Sequence, residues 1–174
     1  MNSAQIHLAL NHAPLFLSII GGGILLLGIL KKNHSLTNLS LYLLVAAAIC
    51  TIPVFLTGEG TEEMVEHLPG TNEGAIEQHE DMAKIALIII AATGFFALFS
   101  LVVLIRKASL SKPFLIGVAI LSLASFGAMA QTAHLGGLIK HSELRNGTIA
   151  NEDDDKETTK NLGDTEKKEK DDDD

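Results

Sequence analysis

The chain has 174 residues, a formal charge of −8, 47% hydrophobic residues and a positive mean hydropathy of +0.30. That length allows one domain, the apolar bias departs from ordinary soluble composition, and net acidity argues against nucleic acid as a partner. The single cysteine, Cys50, excludes an internal disulfide, a thiolate metal cluster and the paired-cysteine attachment of c-type haem.

Four apolar stretches follow in chain order, each near or above the roughly 18 residues that a membrane span needs. The first covers about residues 14–30 and can begin as early as Ile6. Pro14 suits a first helical turn, with Asn11 upstream as its cap. No positively charged leader or clear small-residue cleavage site precedes it, so a removable signal peptide is not expected. Gly21, Gly22 and Gly23 lie mid-span, where small residues allow close helix packing or the approach of a flat cofactor; packing is the commoner use. The second stretch covers about residues 39–56. Pro53 is expected to kink it and Gly58 to end it.

The connector from Gly58 to Asp81 holds eight acids and no lysine or arginine. It predicts a short helix from Thr61 to Leu68 capped by Thr61, a turn at Pro69-Gly70, and a second helical stretch from about Asn72 into the next span. The third stretch, residues 85–105, contains no charge and no amide, so it lacks the polar stripe of a soluble bundle helix. Pro113 opens the fourth, about residues 114–139. Residues 1–145 therefore read as an all-α integral membrane four-helix bundle. Residues 146–174 read as a disordered acidic tail, because residues 152–174 hold twelve acids and five lysines with too little apolar surface to offset ordering.

Charge orients the bundle. Lys31 and Lys32 join the first two spans, and Arg106, Lys107 and Lys112 join the last two. The positive-inside rule places both basic connectors in the cytoplasm. Both termini and the acidic connector then lie outside.

Topology sorts the seven histidines. Only His34 is cytoplasmic. His7, His12, His67, His79, His134 and His141 map to the other face. His12, His79 and His134, from three spans, form one layer at the membrane boundary. His7 and His141 form another, about 10 Å further out if the helices continue, with Gly136 and Gly137 clearing space between. A histidine at a membrane interface is ordinarily an amphipathic anchor. Six at one face, from three helices, point instead to a metal or to non-covalent b-type haem, one or two per chain. The candidate iron ligands are His12, His79, His134 and His141, with His7 in reserve. Lys140, Arg145 and Lys84 are candidate partners for the haem propionates. Bis-histidine ligation leaves no open position, so electron transfer is the expected role.

The acidic connector offers a mixed carboxylate–imidazole alternative from Glu63, Glu66, His67, Glu77, His79 and Glu80. It lacks the paired Glu-x-x-His spacing of di-iron bundles, and a solvated acidic loop is the plainer reading. No nucleophile–base constellation, phosphate loop or H-E-x-x-H motif is present. An enzyme acting alone is not expected.

The stretches I-H-L-A-L-N-H-A-P at 6–14, I-P-V-F-L-T-G at 52–58, I-E-Q-H-E-D-M-A at 76–83 and A-H-L-G-G-L-I-K-H-S-E-L-R at 133–145 carry a resemblance. Together they resemble a group of small bacterial four-span membrane proteins with an N-H-x-P lead-in and a G-G-x-I-[RK]-H-x-E element after the last span. The matching positions are His12, Pro14, Gly58, His79, Gly136, Gly137, His141 and Glu143. His134 is less characteristic of the group. The resemblance implies a four-helix protein of the bacterial inner membrane, whose termini the charge asymmetry would put on the periplasmic side. The histidine placement is also similar to that of four-helix b-type cytochromes. The leading expectation is a membrane electron-transfer subunit working beside a larger redox complex or as a homo-oligomer. Two alternatives stand beside it: a cofactor-free structural or assembly subunit, and a metal-ion or proton transporter or sensor. The last is disfavoured because no span carries a central charge.

Overall fold

The computed structural model describes residues 2–66, 73–106 and 110–139. Lys140, His141, Glu143, Arg145, His67 and the acidic tail lie outside the described residues. The described residues are helical: α1 Ser3–Leu10, α2 His12–Lys31, α3 His34–Glu66, α4 Glu73–Ile105 and α5 Lys112–Leu138. Four helices are long and apolar enough to cross a membrane, α1 and α2 together forming the first.

Local chemistry sets the boundaries. Asn2 caps α1 reciprocally with Gln5: the Gln5 amide donates to Asn2 Oδ1 at 2.9 Å, and the Asn2 amide donates to Gln5 Oε1 at 3.2 Å. Such a box satisfies two otherwise orphaned donors. The interruption at Asn11 follows from Pro14, which cannot donate to the Leu10 carbonyl. Asn11 itself has helical angles and makes no side-chain cap, contrary to expectation. Its side-chain oxygen instead bonds the neighbouring His12 Nδ1. At the basic end Lys32 adopts a left-handed conformation (φ 51°, ψ 38°) and closes α2. Asn33 then caps α3, accepting from the Leu36 amide at 3.1 Å. The turn between these two spans is therefore very short.

At the acidic end α3 does not stop at Gly58. It runs through Gly58 and Gly60 to Glu66, and Thr61 bonds back to the Thr57 carbonyl at 2.7 Å instead of capping a new helix. The physical reason lies in α1, which packs on this extension. A Cβ on Gly60 would sit 2.8 Å from Ser3 Oγ. These glycines admit a neighbouring helix rather than terminate their own.

The four spans form a closed ring of neighbours: α2 packs on α3 and α5, and α4 packs on α3 and α5. The core cluster includes Leu25, Leu41, Leu44, Ala97, Leu101 and Val118. Small residues bring the backbones together. A Cβ on Gly22 would collide with Ser122 Oγ, one on Gly94 with Ala48, and one on Gly21 would lie 2.8 Å from Leu44. Packing thus accounts for Gly21 and Gly22, while Gly23 faces open space. Buried hydroxyls satisfy themselves. Thr93 Oγ1 and Ser125 Oγ lie 2.7 Å apart across α4 and α5, and each also reaches a carbonyl one turn back in its own helix. Large side chains such as Phe95, Ile88, Ile120 and Leu123 point outward, as a lipid-facing surface requires.

Candidate imidazole site at the acidic end of the bundle

Two histidines are drawn into the bundle, and they are held alike. His7 on α1 is half-buried, with Nδ1 2.9 Å from the Val54 carbonyl of α3. His79 on α4 is half-buried, with Nδ1 2.9 Å from the Thr132 carbonyl of α5. A carbonyl oxygen can only accept, so in both rings Nδ1 carries the proton. In the neutral ring the lone pair then belongs to Nε2. The tautomer is set by the backbone of a neighbouring helix.

A glycine stands one helical turn beyond each accepting residue, and the ring of His79 needs the room that Gly136 leaves. Gly58 follows Val54 by four, and a Cβ there would lie 3.6 Å from His7 Cε1. Gly136 follows Thr132 by four, and a Cβ there would lie 3.1 Å from both Cε1 and Nδ1 of His79. Residues four apart share a helix face, so the acceptor and the bare backbone are presented together.

The other candidates are placed differently. His12 is exposed and stacks on Phe16, with ring centroids 6.4 Å apart. His134 is exposed. Neither is drawn into the bundle as His7 and His79 are. His34 is exposed at the basic end. Lys84 makes local ion pairs with Glu80 at 2.9 Å and Asp81 at 3.7 Å. Gly137 faces open space, whereas Gly136 meets His79. His141, Lys140 and Arg145 lie outside the described residues, as does His67 of the acidic-connector alternative.

Among the described residues no group of three or more His, Cys, Asp or Glu is disposed to hold a metal ion. The site is a pair of imidazoles, not a cage. A cavity of about 310 Å³ lies elsewhere, between α4 and α5, lined by Phe96, Phe114, Val118 and Leu121 among others. It is wholly apolar, and no histidine lines it.

By sequence His7 ranks last among the candidates, because it lies beyond the apolar stretch and five residues from His12. What that ranking misses is the interruption at Asn11, which lets α1 lean on α3 and turn His7 inward. A signal is present in the spacing: Gly22 falls fifteen residues after His7, and Gly94 fifteen after His79. No protein-family profile, curated protein or solved structure matches the chain.

Proposed function

We propose that this multi-pass membrane protein is an electron-transfer subunit that holds non-covalent b-type haem through imidazoles at its acidic end. On this reading that end faces the periplasm of a bacterial inner membrane, and a larger redox complex supplies and removes the electrons. The observation that carries the reading is the pair His7 and His79, each with Nδ1–H committed to a backbone carbonyl at 2.9 Å. Histidines that ligate a metal commonly donate their other ring N–H to a carbonyl or carboxylate, which fixes the ring and raises its basicity. Rings oriented in this way would serve as ligands of haem iron. Bound haem would supply a one-electron couple whose potential depends on its axial ligands and on burial. The protein's own groups orient the rings: the Val54 and Thr132 carbonyls set the tautomers, and Gly136 leaves room for His79.

A second reading is favoured by the same hydrogen bonds. His7 ties α1 to α3 and His79 ties α4 to α5, so the rings also serve as interhelical clasps in a cofactor-free assembly subunit. An absorption spectrum and iron analysis of the full chain, purified from haem-replete cells, separate the two. The redox reading predicts a Soret band that sharpens and shifts on reduction. Colourless, iron-free protein would leave only the clasp.

A further inference from the structure

The apolar cavity between α4 and α5 opens on the outside of the bundle. Phe96, Gly117, Ile120 and Ala124 line it and are exposed, so its mouth faces the surroundings of the bundle rather than the core. Gly117 and Ala124 are seven residues apart and share a helix face. Nothing lies within 4 Å of a Cβ built on Gly117. Two small residues on an outward face leave a groove. Its wall is aromatic: Phe114 meets Phe96 edge-on, with ring centroids 6.2 Å apart, and tilts against Phe99 at 5.8 Å.

Length and charge identify what the groove takes. Phe114 and Ala124 are ten residues apart, or about 15 Å along a helix. That is half of the ~30 Å hydrocarbon core, the depth of a single leaflet. The lining begins two residues after Lys112, and α4 ends beside Arg106; both cations are exposed. The described carboxylates all lie at the opposite end, since the sequence has no Asp or Glu before Glu59 and none between Asp81 and Glu143. Lys84, at that acidic end, is paired with Glu80 and Asp81. Arg106 and Lys112 have no carboxylate at their level. An apolar groove one leaflet deep, headed by such cations, is complementary to an acyl chain that carries an anionic headgroup.

We propose that the groove between α4 and α5 holds an acyl chain of an anionic phospholipid, with the headgroup phosphate against Arg106 and Lys112. The site is separate from the imidazoles at the other end of the bundle and does not depend on bound haem.

The sequence contains no tryptophan, so a single introduced tryptophan reports on the lipid beside it. Ile120→Trp places the probe at the groove, on a residue that is 64% exposed. Tyr42→Trp is the control: Tyr42 is also exposed, and it lies eight residues into α3 as Ile120 lies eight into α5. The full chain is reconstituted in phosphatidylcholine vesicles, and dibrominated phosphatidylglycerol or dibrominated phosphatidylcholine is titrated in as quencher. The expected result is stronger quenching of Ile120→Trp by the phosphatidylglycerol, a preference of about fivefold for each cation engaged. Tyr42→Trp shows no such preference. In the Ile120→Trp chain, Arg106→Gln combined with Lys112→Gln abolishes the preference, and so does Gly117→Leu, which fills the groove. Equal quenching of Ile120→Trp by the two lipids would overturn the proposal, as would a preference that survives in the double glutamine variant. Protection of Ile120→Trp from both lipids would overturn it in favour of a second copy of the chain covering the groove. An equal preference at Tyr42→Trp would overturn it too, leaving only diffuse attraction of anionic lipid to the basic end.

Discussion

At the scale of single residues, the two glycines beside the rings are alike in position but not in tolerance. A Cβ on Gly136 would lie 3.1 Å from two atoms of the His79 ring, whereas one on Gly58 would lie 3.6 Å from His7. The first separation requires the ring to give way; the second is ordinary contact. Gly136→Ala is therefore expected to displace His79 from the Thr132 carbonyl and to lower stability by about 1 kcal/mol, the net worth of one such hydrogen bond. Gly58→Ala should be nearly neutral. Thermal unfolding in detergent of the two variants, side by side, checks this ordering, and equal effects would contradict it. A second residue-scale prediction concerns Thr93 and Ser125, whose hydroxyls lie 2.7 Å apart. Thr93→Val keeps the volume and removes the hydroxyl, and interhelical hydrogen bonds of this kind average about 0.6 kcal/mol in membranes. A loss of several kcal/mol would contradict that modest contribution.

At the scale of helices, small residues set how closely the spans approach. Gly22 meets Ser122 and Gly94 meets Ala48 at distances that leave no room for a side chain. Gly22→Leu and Gly94→Leu are each expected to destabilise the bundle by about 1–3 kcal/mol through overpacking, whereas Gly23→Leu, which faces open space, should fold normally. Size-exclusion profiles and unfolding midpoints measure this directly. The spans themselves were legible in the sequence because an uncharged apolar run as long as residues 85–105 suits a bilayer and little else. The helix ends were less legible. Gly58 reads as a terminator from sequence, yet it lies inside α3, because nothing local distinguishes a glycine that ends a helix from one that admits a neighbour. Asn11 reads as a cap but spends its side chain on His12. Of the site, His79 was visible from its position before a span. His7 was less visible because its inward turn depends on the interruption that Pro14 imposes two residues beyond His12.

At the scale of the whole bundle, four of the five described lysines and arginines lie at one end, and four of the five described histidines lie at the other. Lys31, Lys32, Arg106 and Lys112 are exposed at the basic end. The proposed orientation, which follows the positive-inside rule, puts that end in the cytoplasm. With Cys50 replaced by Ser, single cysteines at Gln5 or Glu73 should react with a membrane-impermeant maleimide in intact cells. A cysteine at Lys32 or Ser111 should react only after lysis. The reverse pattern would put the imidazole pair in the cytoplasm and remove a periplasmic electron partner.

The most direct test of the central claim is a reduced-minus-oxidised difference spectrum of the intact protein, read together with its iron content. The proposed function predicts the paired visible bands and shifted Soret of a low-spin haem, weakened when His7 or His79 is replaced. A flat difference spectrum from iron-free, well-folded protein would contradict it.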